Sequence, residues 1–292
     1  MSIHGLLQLD PATLYLFCLL LGATVGSFLN VVIYRLPVML EQEWGEQCRE
    51  LLDVKSTDAP DTTPFNLATP SSRCSHCEHE IRPWENIPVV SYLFLKGRCS
   101  SCKAAISPRY PLVELVTAVL TLFVVWHMGF TWQAAAALPL TWGLIALSLI
   151  DYDHKLLPDI IVIPFLWLGL LLSMPGVFTD SQSAIIGAAA GYLSLWSVFQ
   201  LFRLLTGKEG MGYGDFKLFA LFGAWLGWQY LPLIILISSV VGALVGVVLI
   251  VLRGRDHTIP IPFGPYLATA GWISMLWGEQ INHAYLTWAG LA

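Results

Sequence analysis

The chain has 292 residues, of which 56% are hydrophobic and only 12% are charged, and its mean hydropathy is +0.66. This composition excludes an ordinary soluble domain and indicates a polytopic membrane protein. The formal net charge of −5 says little about the partners of such a protein. We expect the lipid bilayer as its surroundings and no nucleic-acid partner.

Apolar segments of about 20 residues recur along the chain, and this is the length that a helix needs to cross a hydrocarbon core of roughly 30 Å. The sequence therefore predicts an all-α polytopic membrane protein with about eight transmembrane helices. The sixth segment is short and could lie partly below the membrane surface. The eight segments are approximately residues 13–33, 111–129, 133–150, 160–178, 183–202, 215–229, 231–252 and 262–279.

The first apolar segment is interpreted as a retained helix, not as a signal peptide. The first Lys or Arg is Arg35, after this segment, so the basic region that opens a signal peptide is missing. Residues 41–72 are rich in Glu, Gln, Thr, Pro and Asp. We interpret them as a polar insertion, with a short helix near 41–54 and then a flexible connection.

Four of the six cysteines form two C-x-x-C pairs separated by 21 residues, which is the spacing of a zinc ribbon. Four thiolates would complete a tetrahedral, structural zinc site without His76 or His79, which are alternative ligands. The alternative to zinc is a pair of disulfides. Residues 89–95 (VVSYLFL) are expected to form a strand beside the knuckles. The predicted ligands are Cys74, Cys77, Cys99 and Cys102.

The basic residues predict the topology, because Lys and Arg are retained on the cytoplasmic side. With the N-terminus outside, all 15 fall in loops on one side: nine in residues 34–110, one in 151–159, three in 203–217 and two after 252. We therefore predict three parts: a first transmembrane helix (1–33), a cytoplasmic loop domain with the cysteines (34–110), and a membrane-embedded core (111–292).

Two aspartates are the candidate catalytic residues. Asp151 ends the third predicted span and Asp215 begins the sixth, so the topology places both at the cytoplasmic boundary. Ionisable residues at such positions are functional candidates because they are costly to bury in a membrane. The alternative is that each only marks a helix end. That alternative suits Asp215, at a helix N-terminus, better than Asp151, at a C-terminus where the macrodipole disfavours an anion.

Several motifs occur along the chain in a specific order. Together they resemble the motifs of the type IV prepilin peptidases over nearly the whole length of the chain. These enzymes are bifunctional leader peptidases and N-methyltransferases of bacterial inner membranes, and their GxGD element is similar to that of presenilin-type intramembrane proteases. The motifs are GSFLNVVIYRLP (26–37), the two C-x-x-C pairs, ENIPVVSY (85–92), SPRYPLVE (107–114), LIDYDHKLLPD (149–159), GMGYGDFKL (210–218) and PFGP (262–265).

The resemblance implies that Asp151 and Asp215 are the catalytic pair of an aspartic endopeptidase. The two carboxylates would share one proton across a water molecule, since two close carboxylates do not both ionise cheaply. Gly212 and Gly214 would let an extended substrate approach the backbone closely. The implied substrates are prepilins and pseudopilins of type IV pilus biogenesis or type II secretion, cleaved after a Gly that ends a basic leader.

The resemblance also implies methyl transfer from S-adenosylmethionine to the new N-terminus, but no Rossmann-type strand, glycine-rich turn and helix is present. Many members have Gly-Lys before the second knuckle, a position tied to methylation, whereas this chain has Gly97-Arg98. Candidates for handling the methyl donor are Gly97, Arg98, Glu85 and Glu114. Glu114 could instead pair with Arg109, bind the prepilin amine or reach the membrane surface.

Asp153 and Asp159 are rival acids, and for both we expect a solvated or a helix-capping role. Asp159 precedes the fourth predicted span and fits an N-cap. Three other functions remain open: a transporter or channel, a membrane-anchored zinc sensor or assembly factor, and a peptidase without methyl transfer. Aspartates at one boundary, not at the midplane, argue against a transporter. The zinc knuckles favour the longer bifunctional type over the last alternative.

Overall fold

The computed structural model describes residues 10–52, 65–253 and 262–288. Within these ranges the protein consists of α-helices, two short 3₁₀ helices (Pro83–Asn86 and Trp228–Tyr230) and loops, with two isolated β-bridges and no strand. The α-helices are α1 (Pro11–Leu51), α2 (Val90–Phe94), α3 (Arg109–Met128), α4 (Trp132–His154), α5 (Asp159–Ser173), α6 (Ser181–Thr206), α7 (Tyr213–Leu226), α8 (Leu231–Arg253) and α9 (Gly264–Trp288).

The eight predicted apolar segments coincide in order with the eight helices α1 and α3–α9, which confirms the all-α membrane fold. Helices satisfy their own backbone hydrogen bonds, and in lipid no water is present to do so. Within the described ranges, five segments are long and apolar enough to cross a membrane, and α5 is apolar but shorter. The five segments are Pro11–Leu51, Arg109–Met128, Trp132–His154, Ser181–Thr206 and Trp228–Val248.

The chain divides into two compact units, Met1–Trp126 and His127–Ala292. The first unit contains both cysteine knuckles and the second contains both candidate aspartates. Helix α1, in the first unit, continues past residue 33 to Leu51 and includes the helix expected near 41–54 up to that residue. The flexible connection predicted after it lies largely outside the described residues.

The strand predicted for residues 89–95 is wrong, because this stretch contains the short helix α2. Its β-branched and aromatic residues favour a strand, but β propensity depends on a neighbouring strand for pairing. Among the described residues, each knuckle forms a bridge only with itself, Arg73 with Glu80 and Arg98 with Ala105. No strand partner is therefore present beside residues 89–95, and the hydrogen bonds of α2 are made locally.

Helix α7 is the buried centre of the second unit. It has 14 residues, too few to cross a hydrocarbon core, and every residue from 215 to 226 except Lys217 is buried. It packs against α5, α6 and α9, and the glycines Gly187 of α6 and Gly223 of α7 bring the two backbones into direct contact. A helix enclosed by other helices is apolar on all faces, so hydropathy alone made it resemble a span.

Candidate active site and metal centre

Asp151 lies in the last turn of α4, where its own helix dipole opposes a negative charge. The side chain is only 6% exposed. Its Oδ2 accepts a 3.0 Å hydrogen bond from the main-chain N–H of Gly264, the first residue of α9. The N-terminus of α9 thus supplies the positive dipole end and the donor that α4 does not supply, which explains how the chain tolerates a buried carboxylate here.

Asp215 is the third residue of α7 and is 7% exposed. The backbone of Gly212, which caps this helix, hydrogen-bonds to its carboxylate. This is the acidic half of a capping box, so Asp215 has a structural role that a sequence pattern alone would explain. A capping role alone does not explain why the Asp215 carboxylate is buried beside a second carboxylate.

The structure brings Asp151 and Asp215 together, from helices α4 and α7, near enough to interact electrostatically. Leu157 fills the space between the glycines that begin the surrounding helices. A Cβ on Gly214 would lie 2.7 Å from the Leu157 Cβ, and one on Gly264 would lie 3.2 Å from the Leu157 Cδ2. Close packing of one leucine against two glycines therefore helps to set the position of both carboxylates.

The acids near the pair have different surroundings. Asp153 is exposed, as expected. Asp159 is not the N-cap that the sequence suggests, because Pro158 is the cap and Asp159 is the first residue of α5. Its side chain is 57% exposed, which agrees with the solvated alternative. Both carboxylate oxygens of Asp159 accept from the Lys217 Nζ, at 2.8 and 2.6 Å. This ion pair joins the beginning of α5 to α7 two residues beyond Asp215.

The two cysteine knuckles have the same backbone geometry. In each, the first cysteine donates its N–H to the carbonyl five residues later, Cys74 to His79 and Cys99 to Ala104. The fourth residue after each of these cysteines has a positive φ, 55° at Glu78 and 60° at Lys103. Two such turns, facing one another, direct four thiols towards one point.

The four Sγ atoms lie within 4.8 Å of one another, with Cys74 3.8 Å from Cys102 and Cys77 4.0 Å from Cys99. A tetrahedral ion bound at about 2.3 Å to each sulfur needs sulfurs about 3.8 Å apart. The cysteines are free thiols, not disulfides. The donor set and its spacing therefore fit one tetrahedral metal ion.

Hydrogen bonds within the knuckles favour metal-binding thiolates. The main-chain amides of His76 and Cys77 lower the pKa of the Cys74 thiol to about 7. The amide of Ala104 lowers the pKa of Cys102, but the neighbouring thiols raise it more, to about 11. Four close sulfurs do not all ionise without a cation among them.

Glu85 and His79 connect the two knuckles. The Glu85 carboxylate accepts from the Arg82 N–H at 3.0 Å and from the side chain of Ser100, between the cysteines of the second knuckle. These bonds lower the pKa of Glu85, the Arg82 amide contributing most. The same carboxylate lies 3.4 Å from the His79 Nε2. His79 is therefore engaged with a carboxylate near the metal site, and the cysteines form the cluster without either histidine.

The other candidates for handling the methyl donor lie in the same unit as the cysteines. Gly97 has φ of 67°, and a Cβ there would lie 2.8 Å from the hydroxyl of Tyr92. Arg98 is exposed beside the second knuckle. Glu114 is buried in the second turn of α3, where its Oε2 accepts a 2.7 Å hydrogen bond from the Val89 N–H.

Comparisons with known proteins identify the family of this chain. Residues 20–128, which include the cysteines, match the model of the Bacterial Peptidase A24 N-terminal domain. Residues 138–247, which include both aspartates, match the model of the Type IV leader peptidase family. The chain belongs to the type IV leader peptidase family. The family match and the buried carboxylate pair therefore fall in the same unit of the chain.

Curated relatives of this family cover almost the whole chain. A protein of Pseudomonas aeruginosa named prepilin leader peptidase/N-methyltransferase is 59% identical over 290 residues, 99% of each chain. Proteins of the same name from Stutzerimonas stutzeri and Legionella pneumophila are 57% and 46% identical, over 97% of this chain and 97% and 98% of theirs, respectively. No solved structure matches.

Proposed function

We propose that the protein is a membrane aspartic endopeptidase that removes the basic leader from type IV prepilins and pseudopilins, with Asp151 and Asp215 as its catalytic residues. The observation that carries this proposal is the pair of buried, electrostatically interacting carboxylates on α4 and α7. Membership of the leader peptidase family and the names of the curated relatives support the substrate class.

In the proposed mechanism the pair holds one proton and one negative charge. The ionised carboxylate takes a proton from a water molecule, whose oxygen attacks the scissile carbonyl carbon. The protonated carboxyl donates to the carbonyl oxygen, and the peptide C–N bond breaks as the leaving amine gains a proton. The Gly264 amide on Asp151 and the Gly212 backbone on Asp215 hold the two groups in place.

The second proposed activity is methylation of the amine that cleavage exposes, with S-adenosylmethionine as the methyl donor. The methyl group forms a bond to nitrogen, its bond to sulfur breaks, and the amine loses a proton. Among the four candidate residues, Glu85 and Glu114 already use their carboxylates within the fold, and Gly97 packs against Tyr92. Arg98 has an exposed side chain and is the candidate that we retain for direct contact with the donor.

The proposed metal is zinc, bound by Cys74, Cys77, Cys99 and Cys102. Four thiolates leave no open coordination position, so zinc would stabilise the fold of the loop and would not activate water. The segment around it has little core of its own, and metal binding contributes directly to the folding free energy of such segments.

The proposed location is the bacterial inner membrane, with the N-terminus in the periplasm and the cysteine loop in the cytoplasm. The distribution of all 15 basic residues supports this orientation. The same charge rule keeps the basic leader of a prepilin in the cytoplasm. Its cleavage point would then lie at the membrane depth of both aspartates. The enzyme would serve type IV pilus biogenesis, type II secretion or both.

The test is a cleavage assay with purified protein and a prepilin in detergent or lipid, in which leader release is followed by mass spectrometry. Asp151→Asn and Asp215→Asn should each abolish cleavage, whereas Asp153→Asn, at an exposed neighbour on the same turn, should retain it. Addition of S-adenosylmethionine should then add the mass of one methyl group to the cleaved product.

Two outcomes would contradict the proposal. Cleavage by both asparagine variants would exclude the aspartic mechanism. A folded, zinc-loaded wild type that cleaves no prepilin would exclude the peptidase function and favour a transporter or a zinc sensor. Zinc content and thermal stability should be measured on every variant, because the two aspartates lie in a different unit from the metal site and should not change it.

A further inference from the structure

The loop between α1 and α3 exposes a group of large apolar side chains. The 3₁₀ helix Pro83–Asn86, the turn after it and α2 present these side chains close together in sequence, and the exposed fraction is 62% for Trp84, 68% for Leu93 and 84% for Phe94. Exposed apolar groups of this size in one segment mark a contact with a membrane or a partner. We call this the apolar loop face: Trp84, Ile87, Val90, Leu93 and Phe94.

A hydrogen bond fixes the depth of this face relative to a membrane-spanning helix. Val89, which directly precedes α2, donates its N–H to the carboxylate of Glu114. Glu114 lies five residues after Arg109, where α3 begins, and this corresponds to about 7.5 Å along a helix. Elements that lie on a membrane surface bury their apolar face about 5–10 Å into the boundary between headgroups and acyl chains. With the membrane surface at Arg109, the basic residue that begins α3, this hydrogen bond would hold Val89 at interfacial depth.

The charges around the face fit a lipid surface. Arg82, Lys96 and Arg98 are exposed beside it, and the Arg82 guanidinium lies 5.5 Å from the centre of the Trp84 ring. The acidic residue of this segment, Glu85, is instead turned towards Arg82 N–H and Ser100. Tryptophan at the headgroup level, with basic side chains that extend to the phosphates, is typical of interfacial segments.

We propose that the apolar loop face inserts into the bilayer interface and that Arg82 and Lys96 bind anionic lipid headgroups around it. The cysteine loop is then seated on the membrane by its own side chains as well as by the flanking helices. The basic side chains around the face identify lipid as the occupant, and Tyr110, exposed at the beginning of α3 one turn before Glu114, is a further aromatic residue at that level. This inference is independent of the proposed catalytic activity.

Photo-crosslinking in the full-length, zinc-loaded protein tests the proposal. A benzophenone-bearing phenylalanine is introduced at Phe94, at Trp84 or at Trp44, and the protein is reconstituted in vesicles of phosphatidylethanolamine and phosphatidylglycerol. Trp44 is the matched control, because it is an exposed aromatic residue of the same unit on the polar extension of α1. After irradiation we expect several-fold more lipid adducts at positions 94 and 84 than at 44.

Other adducts would overturn the assignment. Equal lipid labelling at all three positions would show that the face is not inserted. Adducts between two copies of the chain, or with a co-reconstituted prepilin in place of lipid, would identify the face as a protein-binding surface. The share of phosphatidylglycerol among adducts at position 94 should exceed its share in the vesicles and fall in Lys96→Glu. An unchanged share would contradict the headgroup contact.

Discussion

The main-chain amide of Gly264 donates a 3.0 Å hydrogen bond to the carboxylate of Asp151, across 113 residues of sequence. The bond joins the C-terminal end of α4 to the N-terminal end of α9. It supplies a favourable electrostatic environment for an acid that its own helix end disfavours. Any change that separates these two helix ends should therefore act on the candidate active site before it acts on the fold.

Gly264→Ala should lower cleavage by about 10- to 100-fold, because small displacements of a reacting group have effects of that size. A Cβ at this position would lie 2.7 Å from the Asp151 Oδ2 and 3.2 Å from Leu157. The measurement is the kcat for leader release. Gly45→Ala is the control, since a Cβ there has no neighbour within 4 Å. Full activity in Gly264→Ala would show that Asp151 does not need this position.

The ion pair between Asp159 and Lys217 should contribute to the geometry of the aspartate pair. It joins α5 to α7 at a point two residues from Asp215. A partly exposed pair contributes about 0.5–1 kcal/mol, which corresponds to a two- to fivefold change in rate. A double-mutant cycle with Asp159→Asn and Lys217→Met should therefore show coupling of this size in kcat/KM.

The exchanged pair Asp159→Lys with Lys217→Asp should recover part of the activity that each single reversal loses. The control is Arg203 with Glu209, a more exposed pair whose nearest atoms are 3.8 Å apart. A cycle on that pair should show no coupling in activity. Additive effects at Asp159 and Lys217 would mean that the two side chains act separately.

The sequence predicts most of this fold because the bilayer imposes a simple length and polarity on each helix. It also predicts the cysteine cluster, since two C-x-x-C pairs are specific in spacing. It misassigns residues 90–94, where composition favours a strand but no partner strand is present. The sequence motifs do not predict the roles of Leu157 and the Gly264 amide, because these roles depend on helix ends that are distant in sequence and adjacent in the structure.

Removal of zinc should unfold the cysteine loop and leave the second unit intact. Glu85→Gln should speed zinc release by about tenfold, the lower limit for changes in groups that support metal ligands. The reason is that Glu85 joins the segment after the first knuckle to Ser100 within the second. Release to a chromogenic chelator provides the rate. Glu80→Gln, at an exposed glutamate of the same loop, is the control and should release zinc as the wild type does.

Asp180 should make the stability of α6 depend on pH. It is the N-cap of this helix, and its carboxylate accepts a 3.0 Å hydrogen bond from the Ser183 N–H. This bond lowers the pKa of Asp180 from its ordinary value of 3.8. A lowered folded-state pKa means that the stabilisation is fully present above the ordinary pKa and is lost as pH falls through the lower one.

Asp180→Ala should therefore unfold at a lower temperature than the wild type at pH 7, and the difference should shrink as the pH falls below 3.8. Asp180→Asn keeps an oxygen that accepts from Ser183 without a titratable group, so its stability relative to Asp180→Ala should not change with pH. Thermal unfolding in detergent across this pH range measures both differences. A constant gap between wild type and Asp180→Ala from pH 7 to below 3.8 would show that the ionised carboxylate does not stabilise the helix.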